Sequence, residues 1–98
     1  MVRHHEPDPT RGVYSISVAA DLVGSQPQNL RLYEARGLVE PGRSEGGTRR
    51  YSEDDLERLR AIGTLLEAGL NLAGVTMVLE LRTANEALRR QLEESGAT

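Results

Sequence analysis

Glycines divide this chain of 98 residues into short segments. Gly24, Gly37 and Gly69 each follow apolar residues at helical spacing. A glycine just past the last turn commonly ends a helix, because it adopts a left-handed backbone conformation without strain. The chain contains neither Phe nor Trp, so its core must be built from Leu, Val, Ile and Ala. Together these features predict one small, mainly α-helical domain.

Two short helices are predicted before Gly37. Ser17 is predicted to cap the first, since its hydroxyl can accept a hydrogen bond from a free amide of the first turn. Pro27 suits the first turn of the second, whose cap is either Gln26 or Ser25 with Gln28 closing a capping box. Their inward-facing residues are predicted to be Val18, Ala19, Leu22, Val23, Leu30 and Tyr33. Two helices joined by a tight turn form a helix-turn-helix pattern, which by itself is a weak signal.

A candidate β-hairpin follows the second helix. Leu38 and Val39 form one β-prone piece, and Arg49, Arg50 and Tyr51 form the other. Gly46 and Gly47 between them can supply the positive φ values that a tight hairpin turn needs. Such a hairpin would be the wing of a winged helix-turn-helix.

The remaining chain is predicted to be helical. Ser52 and Asp55 form a capping box for a third helix. Asn71 is predicted to cap a fourth, and at Thr83 either a fifth helix starts or the fourth continues with a bend. The buried positions of these helices are predicted to be Leu56, Leu59, Ile62, Leu65, Leu66, Leu72, Val75, Val78 and Leu79. A two-heptad seam is formed by Leu81, Asn85, Leu88 and Leu92, which suits either packing on the same domain or a homodimer.

Charge is segregated along the chain. The net charge is −3. The segment from Gln28 to Arg50 contains five arginines and three acidic residues, whereas the segment after Ser52 contains nine acidic residues and five arginines. The sign of the surface that is presented decides whether a polyanion binds, so the mean charge is a poor guide. All twelve basic residues are Arg, although a GC-rich genome explains much of that bias.

Several classes of function are disfavoured. No nucleophile elbow, phosphate loop or paired metal-binding histidines are present, so an enzyme is not expected. Cysteine is absent, and His4, His5, Glu6 and Asp8 lie in a polar tail with no distant partner, so neither a metal site nor a cofactor is predicted. No apolar run is long enough for a membrane helix, which predicts a soluble, cytoplasmic protein with no membrane partner.

Double-stranded DNA is the predicted ligand. Gln28 and Asn29 can pair with adenine edges in the major groove, and Arg31 and Tyr33 can reach phosphate or base. Against these predictions, the amides are equally explained as solvated polar positions, and Tyr33 as a half-buried core ring. The full set of predicted DNA-binding residues is Ser17, Gln26, Gln28, Asn29, Arg31, Tyr33, Arg36, Arg43, Arg49, Arg50 and Tyr51.

Three segments together resemble the MerR family of bacterial transcription regulators: ISVAADLVG, LRLYEARGLVEPGRSEGGTRRYSEDDLERLRAI and LEAGLNLAGVTMVLEL. Within that family, ISVAADL and NLAGVTMVLEL are similar to the heat-shock repressor branch, HspR. The resemblance implies a MerR-like winged helix-turn-helix bound as a homodimer to an inverted repeat. It assigns phosphate contacts to Arg31 and Tyr33, and wing contacts to Arg43, Arg49 and Arg50, with Tyr51 beside them. In the HspR branch the chaperone DnaK acts as co-repressor, which makes DnaK a predicted partner.

Two departures from the family accompany this resemblance. Leu32 stands where many members carry a second aromatic residue, and only a stub from Thr83 stands where the dimerisation helix is usually longer. We therefore predict a flexible tail at 1–12, a winged helix-turn-helix domain at 13–82, and a short C-terminal dimerisation helix at 83–98. The predicted function is a sequence-specific transcriptional repressor of heat-shock or chaperone genes. The alternatives are an architectural or excisionase-like DNA-binding factor, and a protein-interaction module that uses the leucine seam.

Overall fold

Four α-helices and one two-stranded hairpin make up residues 8–96, the part of the chain that this computed structural model describes. In chain order they are α1 (Ile16–Val23), α2 (Pro27–Ala35), β1 (Gly42–Arg43), β2 (Arg49–Arg50), α3 (Glu53–Glu67) and α4 (Leu72–Glu94). The backbone divides into two compact units, Met1–Ile62 and Gly63–Thr98. The mainly α architecture with a small hairpin is thus confirmed.

The predicted glycine stops are confirmed. Gly24 and Gly37 have φ values of 70° and 74°, in the left-handed region. After α2, the Gly37 amide donates to the Glu34 carbonyl (2.9 Å) and the Leu38 amide donates to the Tyr33 carbonyl (2.9 Å). These two bonds satisfy carbonyls that the end of a helix leaves free, so the chain turns away from α2 at a fixed point.

The start of α1 differs from the prediction. Ser15, not Ser17, is the N-cap, and its hydroxyl accepts a hydrogen bond from the Val18 amide (3.3 Å). Tyr14 exchanges backbone hydrogen bonds with Tyr51 (2.7 and 2.9 Å), which holds the chain extended up to Ser15. The helix therefore begins at Ile16, two residues after the paired Tyr14. The apolar stripe also differs, because α1 buries Ala19 and Ala20 and leaves Val18 and Leu22 exposed.

The core of the first unit is assembled from every element except the two short strands. Tyr51, which follows β2 directly, supplies its largest buried side chain. Leu30 and Tyr33 come from α2, as predicted. The other buried apolar residues of this unit are Ala19, Ala20, Leu38, Val39, Leu56, Leu59 and Ile62.

Leu38 and Val39 are not a strand, which corrects the predicted hairpin. Both are buried, and the Leu38 carbonyl accepts a hydrogen bond from Arg58 Nε (2.5 Å). The pairing register is instead Gly42 opposite Arg50 and Arg43 opposite Arg49. The apolar composition here reflects burial, which a short sequence pattern does not distinguish from strand pairing.

Residues 8–12, part of the predicted tail, make specific contacts. The Pro9 carbonyl accepts from the Asp54 amide (3.0 Å) at the start of α3. Gly12 lies so close to β2 that an added Cβ would stand 2.6 Å from the Arg50 carbonyl oxygen. The rest of the tail prediction, including His4, His5 and Glu6, lies outside the described residues.

The two later helices begin at the predicted caps. The Ser52 amide donates to Asp55 Oδ2 (2.9 Å) and the Asp55 amide donates to Ser52 Oγ (3.0 Å), a complete capping box. Asn71 Oδ1 accepts from the Gly74 amide (2.8 Å). Thr83 donates its hydroxyl to the Leu79 carbonyl (3.0 Å) and starts no new helix, so α4 runs unbroken to Glu94. Within 8–96, no helix combines the length and apolar character that crossing a membrane requires.

Candidate nucleic-acid interface

Helix α2 buries one side and exposes the other. Leu30 and Tyr33 form the buried side. Gln28, Arg31, Leu32 and Ala35 are all exposed. At 3.6 residues per turn, these four positions fall within an arc of roughly 100°. The exposed side therefore presents an amide near its N-terminal end, a guanidinium one turn later and an apolar side chain beside it.

The amides near the start of α2 are not equivalent. Asn29 is half-buried, and its Nδ2 donates to Ser25 Oγ (3.1 Å) in the turn between α1 and α2. Gln28 is exposed, and Gln26 is the exposed N-cap with no side-chain capping bond. Pairing with adenine uses both the oxygen and the nitrogen of one amide. Gln28 meets that requirement, whereas the Asn29 amide gives one of its two N–H donors to Ser25, which directs the amide toward the turn.

This difference gives a prediction for base preference. Gln28→Ala should lose about 1–3 kcal/mol of discrimination at a single base pair, because one amide–base pair is removed. Asn29→Ala is the matched control, and it should change preference much less because its amide braces the turn. Affinities for an operator and its single-base-pair variants measure both. If Asn29→Ala relaxed the base preference and Gln28→Ala did not, the assignment of base readout to Gln28 would be contradicted.

A tight hairpin, which we call the wing (residues 42–50), carries three of the predicted arginines. The Ser44 amide donates to the Thr48 carbonyl (2.8 Å), and the Gly47 amide donates to the Ser44 carbonyl (2.9 Å). Gly47 has a φ of 84°, the positive value that the turn requires. Arg43 Nη1 donates to the Gly47 carbonyl (3.1 Å), so its side chain lies along the turn.

Glu34 joins α2 to both strands of the wing. Its Oε2 accepts from Arg43 Nη2 (3.0 Å), and its Oε1 accepts from Arg49 Nε (2.5 Å). The hydrogen bond to Glu34 raises the pKa of the Arg49 guanidinium. Because one carboxylate on α2 binds an arginine from each strand, the helix and the wing lie side by side. Within 8–96, Arg31, Arg36 and Arg50 take part in no ion pair.

The two tyrosines predicted to contact DNA are largely enclosed. Tyr51 is 0% exposed, so it presents no surface to a duplex, and its prediction as a contact residue is corrected. Its hydroxyl has no hydrogen-bond partner among the described residues. Burial raises the pKa of the Tyr51 hydroxyl, and the negative charge of Glu34 raises it further. Tyr33 is 8% exposed, in keeping with the core ring weighed as its alternative role.

The other predicted contact residues are distributed over several elements. Ser17 is exposed on α1, where it has no capping role. Arg36 is the exposed C-cap of α2. Arg50 is half-buried in β2, opposite Gly42. The structure thus brings Arg43 and Arg49 together around Glu34. The DNA contacts of these two arginines and of Arg31 stay predictions.

Glu34 is the site residue that the sequence did not reveal. In the sequence pattern, Glu34 is only one of the acidic residues among the arginines of 28–50. Its two partners lie nine and fifteen positions later, beyond the reach of any helical spacing rule. Among the described residues, no group of His, Cys, Asp or Glu is arranged to hold a metal ion.

Helix-turn-helix geometry with an adjoining basic wing defines the class as a winged helix-turn-helix DNA-binding domain. The family model described as the MerR HTH family regulatory protein matches residues 14–82. The chain belongs to the MerR family. Residues 14–82 are the part of the chain that corresponds to the helix-turn-helix domain of that family.

Two curated relatives indicate the breadth of the family. The chain is 45% identical over 86 residues to the heat shock protein HspR of Streptomyces coelicolor, covering 87% of this chain and 57% of that protein. It is 36% identical over 70 residues to the transcriptional regulator GlnR of Bacillus cereus, covering 71% of this chain and 54% of that protein. The chain therefore spans little more than half the length of these relatives.

Two solved structures share the fold. HiNmlR, a MerR family regulator lacking the sensor domain and bound to promoter DNA, aligns with a TM-score of 0.69 and 28% identity over 82% of this chain and 62% of that one. PbrR691 from Ralstonia metallidurans CH34, in complex with lead(II), aligns with a TM-score of 0.70 and 28% identity over 87% of this chain and 79% of that one.

Proposed function

We propose that this protein is a transcriptional repressor of the HspR type, which binds an inverted repeat as a homodimer and controls heat-shock or chaperone genes. The observation that carries the proposal is the 45% identity to the heat shock protein HspR, spread over 87% of this chain. The identity to GlnR is lower and covers a smaller share. In this proposal the protein acts on chromosomal DNA, in the cytoplasm and bound to the nucleoid.

The exposed face of α2 suits the major groove in this proposal. Gln28 supplies base readout, and Arg31 reaches phosphate from the side nearest the wing. The arginines of the wing then contact the backbone beside the same groove, since Glu34 holds the wing against α2. Phosphate contacts position such a protein, and base contacts give it specificity.

The seam on α4 supports a homodimer. Leu81, Leu88 and Leu92 are between 60% and 67% exposed, and Asn85 on the same stripe is exposed too. A row of exposed leucines at heptad spacing is suited to an identical helix, and a polar residue on the seam fixes the register. Since α4 has 23 residues, the seam lies on a helix of roughly 35 Å and not on an isolated stub.

Selection of bound sequences from a random duplex library tests the proposal. An inverted repeat, with half-sites one helical turn apart or a small multiple, is expected from a dimer. A ladder of direct repeats would favour the architectural alternative, and failure to select any site would favour the protein-interaction module. The co-repressor role of DnaK is tested separately: we expect added DnaK to co-purify with the protein and tighten operator binding. Absence of both effects would reject that role.

A further inference from the structure

We propose that Glu34 is a specificity-determining residue that restrains the wing arginines, so that they bind phosphate only in the arrangement that an operator presents. The inference rests on DNA binding by α2 and the wing, and it assigns a role to the acid at their junction. Each oxygen of Glu34 holds a guanidinium from a different strand, at 3.0 Å for Arg43 and 2.5 Å for Arg49.

The contacts leave both arginines able to bind DNA. A guanidinium has five N–H donors. Glu34 uses one from each arginine, and the Gly47 carbonyl uses one more from Arg43. The side chains of Arg43 and Arg49 remain 48% and 29% exposed. The free donors are thus held in fixed directions, which favours phosphates at matching positions.

The carboxylate also offsets part of the wing's positive charge. Non-specific binding depends almost entirely on the number of phosphates that basic side chains neutralise. A fixed negative charge between two of these arginines lowers the attraction to any duplex, whatever its sequence. Operator binding is affected less, because the arginine donors that Glu34 holds already point in the directions of the operator phosphates. Glu34 therefore widens the gap between specific and non-specific affinity.

Glu34→Gln isolates the charge from the shape. Glutamine keeps the volume and one accepting oxygen, so we expect the fold to be retained and the unfolding midpoint to change little. Affinity for random duplex DNA at low salt should rise on the order of fivefold, the effect of removing one negative charge that lies a few ångströms from the arginines and repels the phosphates. The slope of log affinity against log salt concentration should steepen by about the contribution of one phosphate contact. The ratio of operator affinity to random-duplex affinity should fall.

Two controls make the test specific. Glu57→Gln removes the same charge from an exposed position on α3 that takes no part in the ion pairs found between residues 8 and 96. It should raise random-duplex affinity much less. In an Arg43→Gln, Arg49→Gln background, adding Glu34→Gln should have almost no further effect, because the charge acts through those two side chains.

The outcomes distinguish failure of the proposed role of Glu34 from failure of DNA binding itself. If Glu34→Gln bound random duplex DNA no more tightly than the unmodified chain, the proposed role of Glu34 would be wrong but DNA binding would stand. The same would follow if Glu57→Gln raised that affinity equally. An undiminished gain in the doubly substituted background would also overturn that role. If the unmodified chain bound no duplex at low salt, DNA binding itself would fail, and this inference with it.

Discussion

Replacing Leu30 with alanine is expected to lower the free energy of unfolding by about 2–5 kcal/mol. Leu30 is 0% exposed, at the centre of the buried side of α2, so truncation removes well-packed methyl groups and leaves a cavity. A loss of that size is a large share of the roughly 5–15 kcal/mol that a small domain has. Urea denaturation followed by circular dichroism measures it.

Leu32→Ala is the matched control, two residues along the same helix. Leu32 is 41% exposed, so its truncation should change the unfolding free energy by only about 0.5 kcal/mol. Leucine and alanine are both good helix formers, so the comparison isolates burial. Equal losses from the two variants would show that α2 is rotated relative to this structure. Its DNA-facing side would then be misassigned as well.

The second large effect is expected on the oligomeric state. If the proposed homodimer forms through the seam on α4, Leu88→Gln combined with Leu92→Gln should raise its dissociation constant at least roughly a hundredfold, since burying each leucine contributes about 1.5–3 kcal/mol and a symmetric pair buries four. Sedimentation over a range of concentrations measures the change. Operator binding should weaken in parallel, because two linked half-sites bind far more tightly than one.

Arg90→Gln combined with Glu94→Gln provides the control for that experiment. Arg90 and Glu94 lie on the other side of α4, roughly 200° from Leu88 and Leu92 respectively, and this pair of changes leaves the net charge unaltered. The control should remain a dimer. If the dimer persisted without both leucines but dissociated in the control variant, the interface would lie on the opposite side of the helix.

Much of the fold is predictable because its signals are local. The stops at Gly24 and Gly37, the box between Ser52 and Asp55, and the cap at Asn71 each operate within three or four residues, and all are found where expected. The winged helix-turn-helix fold and the family follow from the same local pattern, together with the resemblance.

The errors arise where a distant contact decides between similar local choices. Ser15 and Ser17 are equally good caps, and the choice falls to Ser15 because Tyr14 pairs with Tyr51, far along the chain. A DNA contact is predicted for Tyr51 because the resemblance places it beside the wing arginines, yet neighbouring side chains of an extended chain point to opposite faces. Burial of Tyr51 and the bridge by Glu34 are therefore tertiary facts that no short pattern contains.

The central claim is that α2 and the wing form one DNA-binding surface, and a titration of the full chain with its selected operator tests it most directly. Backbone amide signals are recorded by NMR as duplex is added. We expect the largest shifts within residues 26–36 and 42–50, appearing together at the same stoichiometry. Shifts confined to α4, or shifts in α2 with none in the wing, would contradict the claim.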